Sequence, residues 1–433
     1  MRLHVIEPDG RFACGSCGAC CDQPWRTSIE ADKAVALDRH DFSNYPRLVG
    51  ASYYHSPADG RPGFFDLAKG EGTKCLFLDT DGLCIIHKEL GPEAKPGMCR
   101  QFPLLSSRTW VDERVSLNYA CPSVQRAKGT PLSEQADDIA RVVALSGRPV
   151  QPNELVPLNA RTKITIEEND SLLDAMMSRF DEEQSGDLWA RFTACLSLIN
   201  LVVTWKTQKP STGTDSELVG LLRSGRSLSD ADSPALVEPY DRPAAAPLGT
   251  RMLFAATLQP DTVPADLTGR LGFLGRLTLI PKLMALANLS GTYASRVLGR
   301  NLTIQEVLAH SVASELDAES TTLLCRYMHS RLWQRALAST RLSILGGLHQ
   351  HIHDVNAVLF FARAEAASEN APALDITHIR RGLACVEFHL ANQSRVFDQV
   401  LKGWLRAQLN DPVIALASLR LMRPTVPTLA RHH

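Results

Sequence analysis

The stretch Cys14-Gly-Ser-Cys17-Gly-Ala-Cys20-Cys21 places four cysteines in a C-x2-C-x2-C-C pattern near the start of the chain. Gly15 and Gly18 keep the loop between them flexible, so the thiolates are able to turn toward one centre. Cysteine thiolates at this spacing bind soft or borderline metals, either tetrahedral zinc or an iron–sulfur cluster. The stretch therefore predicts a metal site that organises the residues around it.

Four more cysteines follow, so that eight of the eleven in the chain lie within the first 121 residues. Adjacent side chains on an extended backbone point in different directions, which predicts that Cys20 and Cys21 do not bind the same metal ion. One of the pair is expected to join the local C-x2-C-x2-C set, and the other to join the distal cysteines. Eight thiolates suffice for two four-ligand sites, and one cluster accompanied by free thiols is equally compatible. The predicted ligands are Cys14, Cys17, Cys20, Cys21, Cys75, Cys84, Cys99 and Cys121.

Two neighbouring residues are candidates for a supporting role. Arg100 follows Cys99 and is able to offset the negative charge of the thiolates, although an exposed surface arginine is an equal expectation. His87 is a possible replacement ligand, but a half-buried histidine in a turn is the favoured interpretation.

Composition and patterning predict an α+β fold, mainly α: a small metal-organised, cysteine-rich N-terminal domain followed by a mostly helical C-terminal region. The first domain is residues 1–125, which are rich in turn signals, with a helix from about Ser28 and a hairpin-like turn that brings Cys75 and Cys84 together. Residues 126–160 form a connector with four prolines. Residues 161–433 form the mainly helical region, interrupted at about 207–250 by a Pro/Ser/Gly-rich loop.

Apolar periodicity predicts helices in the C-terminal region at 167–206, 270–298, 303–315, 318–346, 350–370 and 376–408. Gly346-Gly347 and Asn370-Ala-Pro372 are predicted breaks between helices. His349 and His353 stand at a known i,i+4 metal spacing, but no third ligand is in view and a polar helix surface is the expectation. The remaining cysteines, Cys195, Cys325 and Cys385, lie in apolar helical patterns and are predicted to be core residues.

Charge and hydropathy exclude several classes of function. The net charge is −1, and residues 1–125 carry 14 Lys/Arg against 16 Asp/Glu, so no nucleic-acid partner is expected. The N-terminus lacks the apolar core of a signal peptide, and the most apolar stretch, Leu196–Trp205, falls short of a membrane span. We therefore expect a cytoplasmic protein without a membrane partner, in which reduced thiols favour metal over disulfides.

The run from Cys75 to Gly91 (CLFLDTDGLCIIHKELG), followed by Cys99-Arg-Gln-Phe-Pro103, resembles the zinc- or iron-chelating cysteine-cluster family. The upstream C-x2-C-x2-C-C belongs to the same pattern. The motifs Gly-Leu-Cys and Lys-Glu-Leu-Gly, the chain length and the helical C-terminal part are similar to those of its flagellin lysine-N-methylase branch. The motifs cover residues 11–125, whereas residues 126–433 share only length and helicity with that branch.

This resemblance implies a bacterial protein with an iron–sulfur cluster of the 4Fe-4S type, with zinc as the alternative metal. It also implies methyl transfer from S-adenosylmethionine to lysine side chains of a protein such as flagellin. Two other classes stay open: a non-catalytic zinc- or iron-binding interaction module, and a protein for metal delivery or redox relay.

The sequence does not locate the methyl-transfer chemistry. A lysine must lose its proton before it attacks a methyl group, because its ordinary pKa is about 10.4. Tyr119, Asp112 and Glu113 lie near the last cysteine but fit ordinary packing or surface roles better, so no catalytic residue is assigned. The glycine-rich turn of nucleotide-binding folds is absent, and an S-adenosylmethionine site at the cluster itself is the remaining hypothesis.

Overall fold

The computed structural model describes residues 4–23, 25–57, 60–108, 112–143, 155–181, 187–210, 213–224, 246–262, 280–309, 316–335, 337, 342–390 and 402–422. The chain divides into two compact units, Met1–Val150 and Gln151–His433. All eight predicted cysteine ligands lie in the first unit.

The described part of the N-terminal unit contains eight short strands. They are β1 His4–Ile6, β2 Arg11–Phe12, β3 Ser28–Glu30, β4 Tyr54–His55, β5 Phe64–Leu67, β6 Leu104–Arg108, β7 Glu113–Leu117 and β8 Thr130–Pro131. They form three small sheets with the orders β1-β7-β6, β3-β5-β4 and β2-β8. Only the β1–β7 pairing is parallel among these strands. The β2–β8 pair ties the segment just before the first cysteine to the segment just after the last one.

The helices of this unit are short: α1 Ala31–Arg39, α2 Ile85–Leu90, α3 Gly97–Gln101, α4 Pro122–Gln125 and α5 Ala136–Val143. Short 3-10 turns precede α3 and α5, at Pro92–Ala94 and Leu132–Gln135. Two of the cysteines stand at helix starts, because Cys84 is the residue before α2 and Cys121 the residue before α4. The helix predicted from about Ser28 begins three residues later, since Ser28–Glu30 is drawn into the sheet by pairing with β5.

The N-terminal unit also has an apolar core. Ile29, Leu37, Phe77 and Ile85 are completely buried there, and Cys75 and Cys84 pack against the same cluster. The sequence predicted that metal would organise this unit more than its apolar residues. The core shows that hydrophobic burial contributes substantially as well.

The predicted connector at 126–160 is more structured than expected. Its helix α5 contacts both α3 and β6, and the side chains of Ile139 and Val143 are buried. These two residues stand four apart on one helical face, a short amphipathic pattern that the neighbouring prolines obscured. Residues up to Val143 therefore fold with the cysteine-rich unit.

The described part of the C-terminal unit is built mainly from helices. They are α6 Ile166–Met177, α7 Leu188–Gln208, α8 Ser216–Arg223, α9 Leu248–Thr262, α10 Ile280–Ala287, α11 Ile304–Ala309, α12 Ala318–Trp333, α13 Ile344–Ser368, α14 Ile376–Cys385, α15 Lys402–Leu409 and α16 Pro412–Ser418. A 3-10 turn at Ser178–Phe180 follows α6, and a π-helical segment at Val386–Leu390 follows α14. Two hairpins join β9 Leu155–Pro157 to β10 Lys163–Thr165 and β11 Thr292–Ser295 to β12 Arg300–Thr303.

The long helix α13 forms the centre of this unit. It contacts α9, α14, α15 and α16, and nearly all of its side chains are buried. With 54% of the structure helical and only short strands, the predicted α+β, mainly α class is confirmed. The predicted break after this helix also agrees with the structure, because α13 ends at Ser368 and Asn370 takes a left-handed turn conformation.

Several element predictions in this unit differ from the structure. The helix predicted at 167–206 is divided into α6 and α7, and the helix predicted at 318–346 ends at Trp333. Gly346 and Gly347 lie inside the first turn of α13, where an added Cβ on Gly347 would meet the Leu337 side chain at 2.9 Å, so they serve close packing. The loop predicted at 207–250 contains α8, whose first turn is capped by the Asp215 side chain. Where the sequence predicts one helix at 270–298, α10 ends at Ala287 and the strand Thr292–Ser295 follows it. Residues 263–279 lie outside the described residues.

One described helix, Leu188–Gln208, is long and apolar enough to cross a membrane by length and composition alone. Of its most apolar window, 56% is buried inside the unit. A core helix of a soluble protein satisfies the same criterion, so this feature is weak evidence for a membrane span.

Candidate metal centre

The first cysteine loop lies directly against the segment that carries Cys75. The backbone N–H of Cys75 donates to the carbonyl of Cys21 at 2.7 Å, and Asp22 pairs with Lys74 in an antiparallel bridge. Cysteines more than 50 positions apart in the sequence are therefore joined by the backbone itself. This contact connects the two cysteine groups that the sequence predicted to share a site.

A tight turn brings Cys84 back toward Cys75, as the sequence predicted. Leu78 and Cys84 form an antiparallel bridge, and Gly82 within the turn has a φ of 81°. The turn packs on the first cysteine loop so closely that a Cβ on Gly82 would lie 2.5 Å from the carbonyl oxygen of Ser16. Glycine is required there both for its conformation and for this approach.

Cys20 and Cys21 are closer than the sequence argument allowed. Their backbone is a turn, not an extended segment, because the N–H of Cys21 donates to the carbonyl of Gly18 at 2.8 Å. The two Sγ atoms lie 4.0 Å apart. Tetrahedral zinc with bonds of about 2.3 Å to sulfur separates its sulfurs by about 3.8 Å. The premise that these side chains diverge is therefore wrong, and their spacing is compatible with two ligands of one ion or with adjacent sites.

The electrostatics of this pair show that one thiol ionises before the other. A hydrogen bond from Cys21 lowers the pKa of Cys20 to about 7, and the Lys95 cation acts in the same direction against the effect of burial. The pKa of Cys21 is raised by that same hydrogen bond, by burial and by the charges of Cys20, Cys75 and Cys99. Cys20 is therefore the first thiolate of the pair available to a metal.

Other thiols near this point also affect one another. Burial raises the pKa of Cys99 to about 12, and the thiolates of Cys75 and Cys84 add to the effect. Burial also raises the pKa of Cys75, with Cys84 contributing. Ionising all of these thiols without a cation would therefore be unfavourable, as expected for ligands of a positively charged metal.

The segment around Cys121 also contacts the first loop. The N–H of Ala13 donates to the carbonyl of Lys128 at 3.0 Å, and a Cβ on Gly15 would lie 3.0 Å from Oγ of Ser123. Burial is the main cause that raises the pKa of Cys121, and the charges of Cys17 and Cys20 raise it further. The last predicted ligand is thus brought to the start of the motif, although it stands about 100 positions later.

Two lysines that the sequence argument missed stand beside the thiols. Lys69 is half-buried, and its Nζ donates to the carbonyl of Gln23 at 2.8 Å. Burial lowers its pKa, while Cys75, Cys21 and Cys99 act to raise it. Lys95, for its part, lowers the pKa of both Cys20 and Cys99. Only their positions a few residues before a cysteine could have indicated this role.

The predicted partner Arg100 makes a different contact. Its guanidinium forms an ion pair with Glu93 at 2.6 Å. His87, the alternative ligand, is exposed on α2 and is not drawn into the cysteine group. The compensating charge near the thiols therefore comes from Lys69 and Lys95, with Arg47 also acting on Cys75.

The donor set fits a thiolate-bound metal in chemistry, since eight thiols lie in one compact unit and thiolates are the ligands that zinc and iron–sulfur clusters take. Cys14 and Cys17 are exposed, Cys121 is buried, and the other five are half-buried. Within the described residues no three His, Cys, Asp or Glu side chains are grouped closely enough to hold an ion. Side-chain rotation about the Cα–Cβ bonds is therefore needed to close a site around the Cys20–Cys21 pair.

The candidate methyl-transfer residues occupy packing positions. Tyr119 and Glu113 are buried in the N-terminal unit, and Asp112 lies 3.3 Å from Nε of Arg114. These contacts agree with the expectation of ordinary structural roles.

The histidine pair on α13 corrects another prediction. His349 and His353 are fully buried and stack with ring centroids 5.0 Å apart, whereas a polar helix surface was expected. His349 Nδ1 is 3.2 Å from the carbonyl of Leu409, and both Nε2 atoms contact Oγ of Ser418, at 2.8 and 3.1 Å. Their i,i+4 spacing marks the face that α13 buries against α15 and α16.

The three cysteines outside the motif region lie where the sequence predicted. Cys195 and Cys325 are buried in α7 and α12, and Cys385 is half-buried at the end of α14. The thiol of Cys195 donates to the carbonyl of Met176 at 3.7 Å. They pack as small core residues.

Comparison with known proteins supports the metal-binding class for this unit. Residues 13–122 match the family model CxxCxxCC, described as a "putative zinc- or iron-chelating domain". The N-terminal unit therefore contains a domain of this family, as the sequence resemblance predicted. The match does not confirm the flagellin lysine-N-methylase branch. No curated protein and no solved structure gives a significant match to the chain.

Proposed function

We propose that the N-terminal unit binds its metal as an iron–sulfur cluster held by cysteines from both sequence groups. The observation that carries the proposal is the junction of the two cysteine groups. The Sγ atoms of Cys20 and Cys21 lie 4.0 Å apart, and the carbonyl of Cys21 accepts a hydrogen bond of 2.7 Å from the N–H of Cys75. The match to a zinc- or iron-chelating domain supports a metal of this kind. Zinc is the alternative outcome of the test below.

The chain's own residues would support such a cluster in three ways. Thiolates supply the ligands, beginning with Cys20, whose pKa is already lowered to about 7. The Lys69 and Lys95 cations offset the negative charge that several thiolates bring together. The apolar core beneath Cys75 and Cys84 excludes water from the inner side. A bound iron–sulfur cluster supplies electron transfer or, at an iron with an open position, a Lewis acid.

The test is anaerobic purification of the full chain, with metal analysis and a visible absorption spectrum. We expect iron in multiples of about four per chain and a broad visible absorption, both clearly reduced in Cys17→Ala and in Cys99→Ala. Cys195→Ala is the matched control, because that thiol is buried in the other unit and should leave metal content unchanged. Stoichiometric zinc without colour would favour the structural module, and absence of any metal would refute the centre altogether.

We extend the proposal to protein-lysine methylation on the strength of the sequence resemblance. In this proposal the protein acts in the bacterial cytoplasm and transfers methyl groups from S-adenosylmethionine to lysines of an acceptor such as flagellin. The acceptor lysine must be deprotonated, and desolvation near the centre would favour its neutral form.

The methylation proposal has its own experiment. Cluster-loaded protein is incubated with S-adenosylmethionine carrying a labelled methyl group and with purified flagellin, and labelled lysine is measured by mass spectrometry. Transfer that disappears in Cys99→Ala would support a cluster-dependent enzyme. A protein that retains its cluster but neither binds S-adenosylmethionine nor labels flagellin would instead belong to the interaction or redox-relay classes.

A further inference from the structure

Backbone contacts join the cysteines of the N-terminal unit into two groups that meet at the Cys20–Cys21 turn. In one group, the carbonyl of Cys21 accepts a hydrogen bond from the N–H of Cys75, and the turn after Cys75 returns the chain to Cys84. Cys75 and Cys84 pack on the same apolar core. Cys99 joins this group, because Cys75 and Cys84 raise the pKa of its buried thiol more than Cys20 does.

Lys69 provides a second observation that groups these thiols. Its backbone forms an antiparallel bridge with Cys75. Burial lowers the pKa of its ammonium, while the charges of Cys75, Cys21 and Cys99 act to raise it. One half-buried cation is therefore shared by three cysteines that stand far apart in the sequence.

The second group is formed by the start of the first cysteine loop and the end of the cysteine-rich segment. The β2–β8 pairing and the Ala13–Lys128 hydrogen bond bring the start of the loop to α4, which begins directly after Cys121. Gly15 lies against Ser123, which places its neighbour Cys14 beside the same helix. Burial raises the pKa of Cys121, and the charges of Cys17 and Cys20 add to the effect.

We infer that the eight cysteines form two adjacent four-thiol sites that meet at the Cys20–Cys21 pair. The first site is Cys14, Cys17, Cys20 and Cys121, and the second is Cys21, Cys75, Cys84 and Cys99. This inference rests on the proposed metal centre and adds its division. A four-ligand ion or cluster fits each set, because zinc and iron–sulfur clusters both take four thiolates. The vicinal cysteines then belong to different sites although their sulfurs lie only 4.0 Å apart.

Metal stoichiometry in paired variants tests the division. Cys14→Ser removes an exposed ligand of the first site, and Cys84→Ser removes a half-buried ligand of the second. We expect each variant to retain about half the metal of the wild-type chain, and the double variant to retain none. Loss of all metal in either single variant, in protein whose circular dichroism is unchanged, would overturn the division.

A second measurement uses the unmodified chain and does not depend on how variants fold. Metal is withdrawn from the loaded protein by graded additions of a chelator, exposed thiols are alkylated, and each cysteine is quantified by peptide mass spectrometry. We expect two labelling steps, each comprising one of the two sets of four. Labelling that mixes the sets, or that exposes all eight cysteines in one step, would contradict the inference. A chain that holds no metal refutes the proposed centre itself, which separates the two failures.

Discussion

Acid destabilisation of the C-terminal unit through His349 is a prediction whose size follows from the structure. The imidazole is completely buried between α13, α15 and α16, and burial lowers its pKa from about 6.5 to about 4. Between these values the unfolded chain binds a proton that the folded chain does not. Stability must therefore fall as the pH falls from about 6.5 toward 4. The full difference corresponds to about 3 kcal/mol, and about 2 kcal/mol of it is lost by pH 5.

The assay is urea unfolding followed by far-ultraviolet circular dichroism at pH 8 and pH 5. The comparison is between the wild-type chain and His349→Gln, because other titrating groups, including the stacked neighbour His353, are common to both. We expect the pH-dependent loss of unfolding free energy to be about 2 kcal/mol smaller in the variant. His351→Gln is the matched control, since that residue is only half-buried on the same helix. An identical pH dependence in wild type and His349→Gln would refute the reasoning.

Three further outcomes follow from single contacts. Lys206→Met leaves the buried carboxylate of Glu168 without its ion-pair partner at 2.6 Å, so the free energy of unfolding in urea should fall by about 3–5 kcal/mol. Lys209→Met breaks the exposed ion pair with Glu217 and should lower it by less than about 1 kcal/mol. Gly82→Ala would place a Cβ against a backbone carbonyl, whereas Gly60→Ala, also at a positive φ, meets open space. Thermal unfolding should therefore show that Gly82→Ala destabilises the N-terminal unit by about 1–3 kcal/mol more than Gly60→Ala. Lys69→Met removes a cation beside three thiols, so the midpoint pH for metal uptake should rise; a titration showing no rise would contradict that role.

Local sequence signals predicted the parts of the candidate site that depend on short-range structure. The turn at Asp81-Gly82 was enough to place Cys75 near Cys84, because hairpin geometry follows from residues close in sequence. The grouping of Cys121 with the first loop depends on the β2–β8 pairing, which joins two-residue strands that no periodicity reveals. The direction of Cys20 and Cys21 was mispredicted because the turn at Gly18 replaces the extended backbone that the argument assumed.

Burial explains the other differences between sequence and structure. Nothing in the local sequence shows that Lys69 is half-buried among thiols or that His349 lies at the centre of a helical unit, since both depend on tertiary packing. The helix α8 did have a local signal: Asp215 is a good N-cap, and Leu218 and Leu222 stand four apart on one face. The prolines and serines on either side of it dominated the interpretation and hid this short helix.

The apolar core of the N-terminal unit decides how metal and folding are related there. Phe77, Ile85 and Leu37 are completely buried, and Cys75 and Cys84 pack against this core. Burial of several such side chains contributes about 1.5–3 kcal/mol each before conformational entropy is subtracted. The distal thiols are therefore presented by a folded scaffold, while Cys14 and Cys17 stay exposed on a glycine-containing loop. In the proposed centre, metal binding would mainly order the first cysteine loop against this scaffold. The loop already contacts the scaffold closely at Gly82 and Ser123.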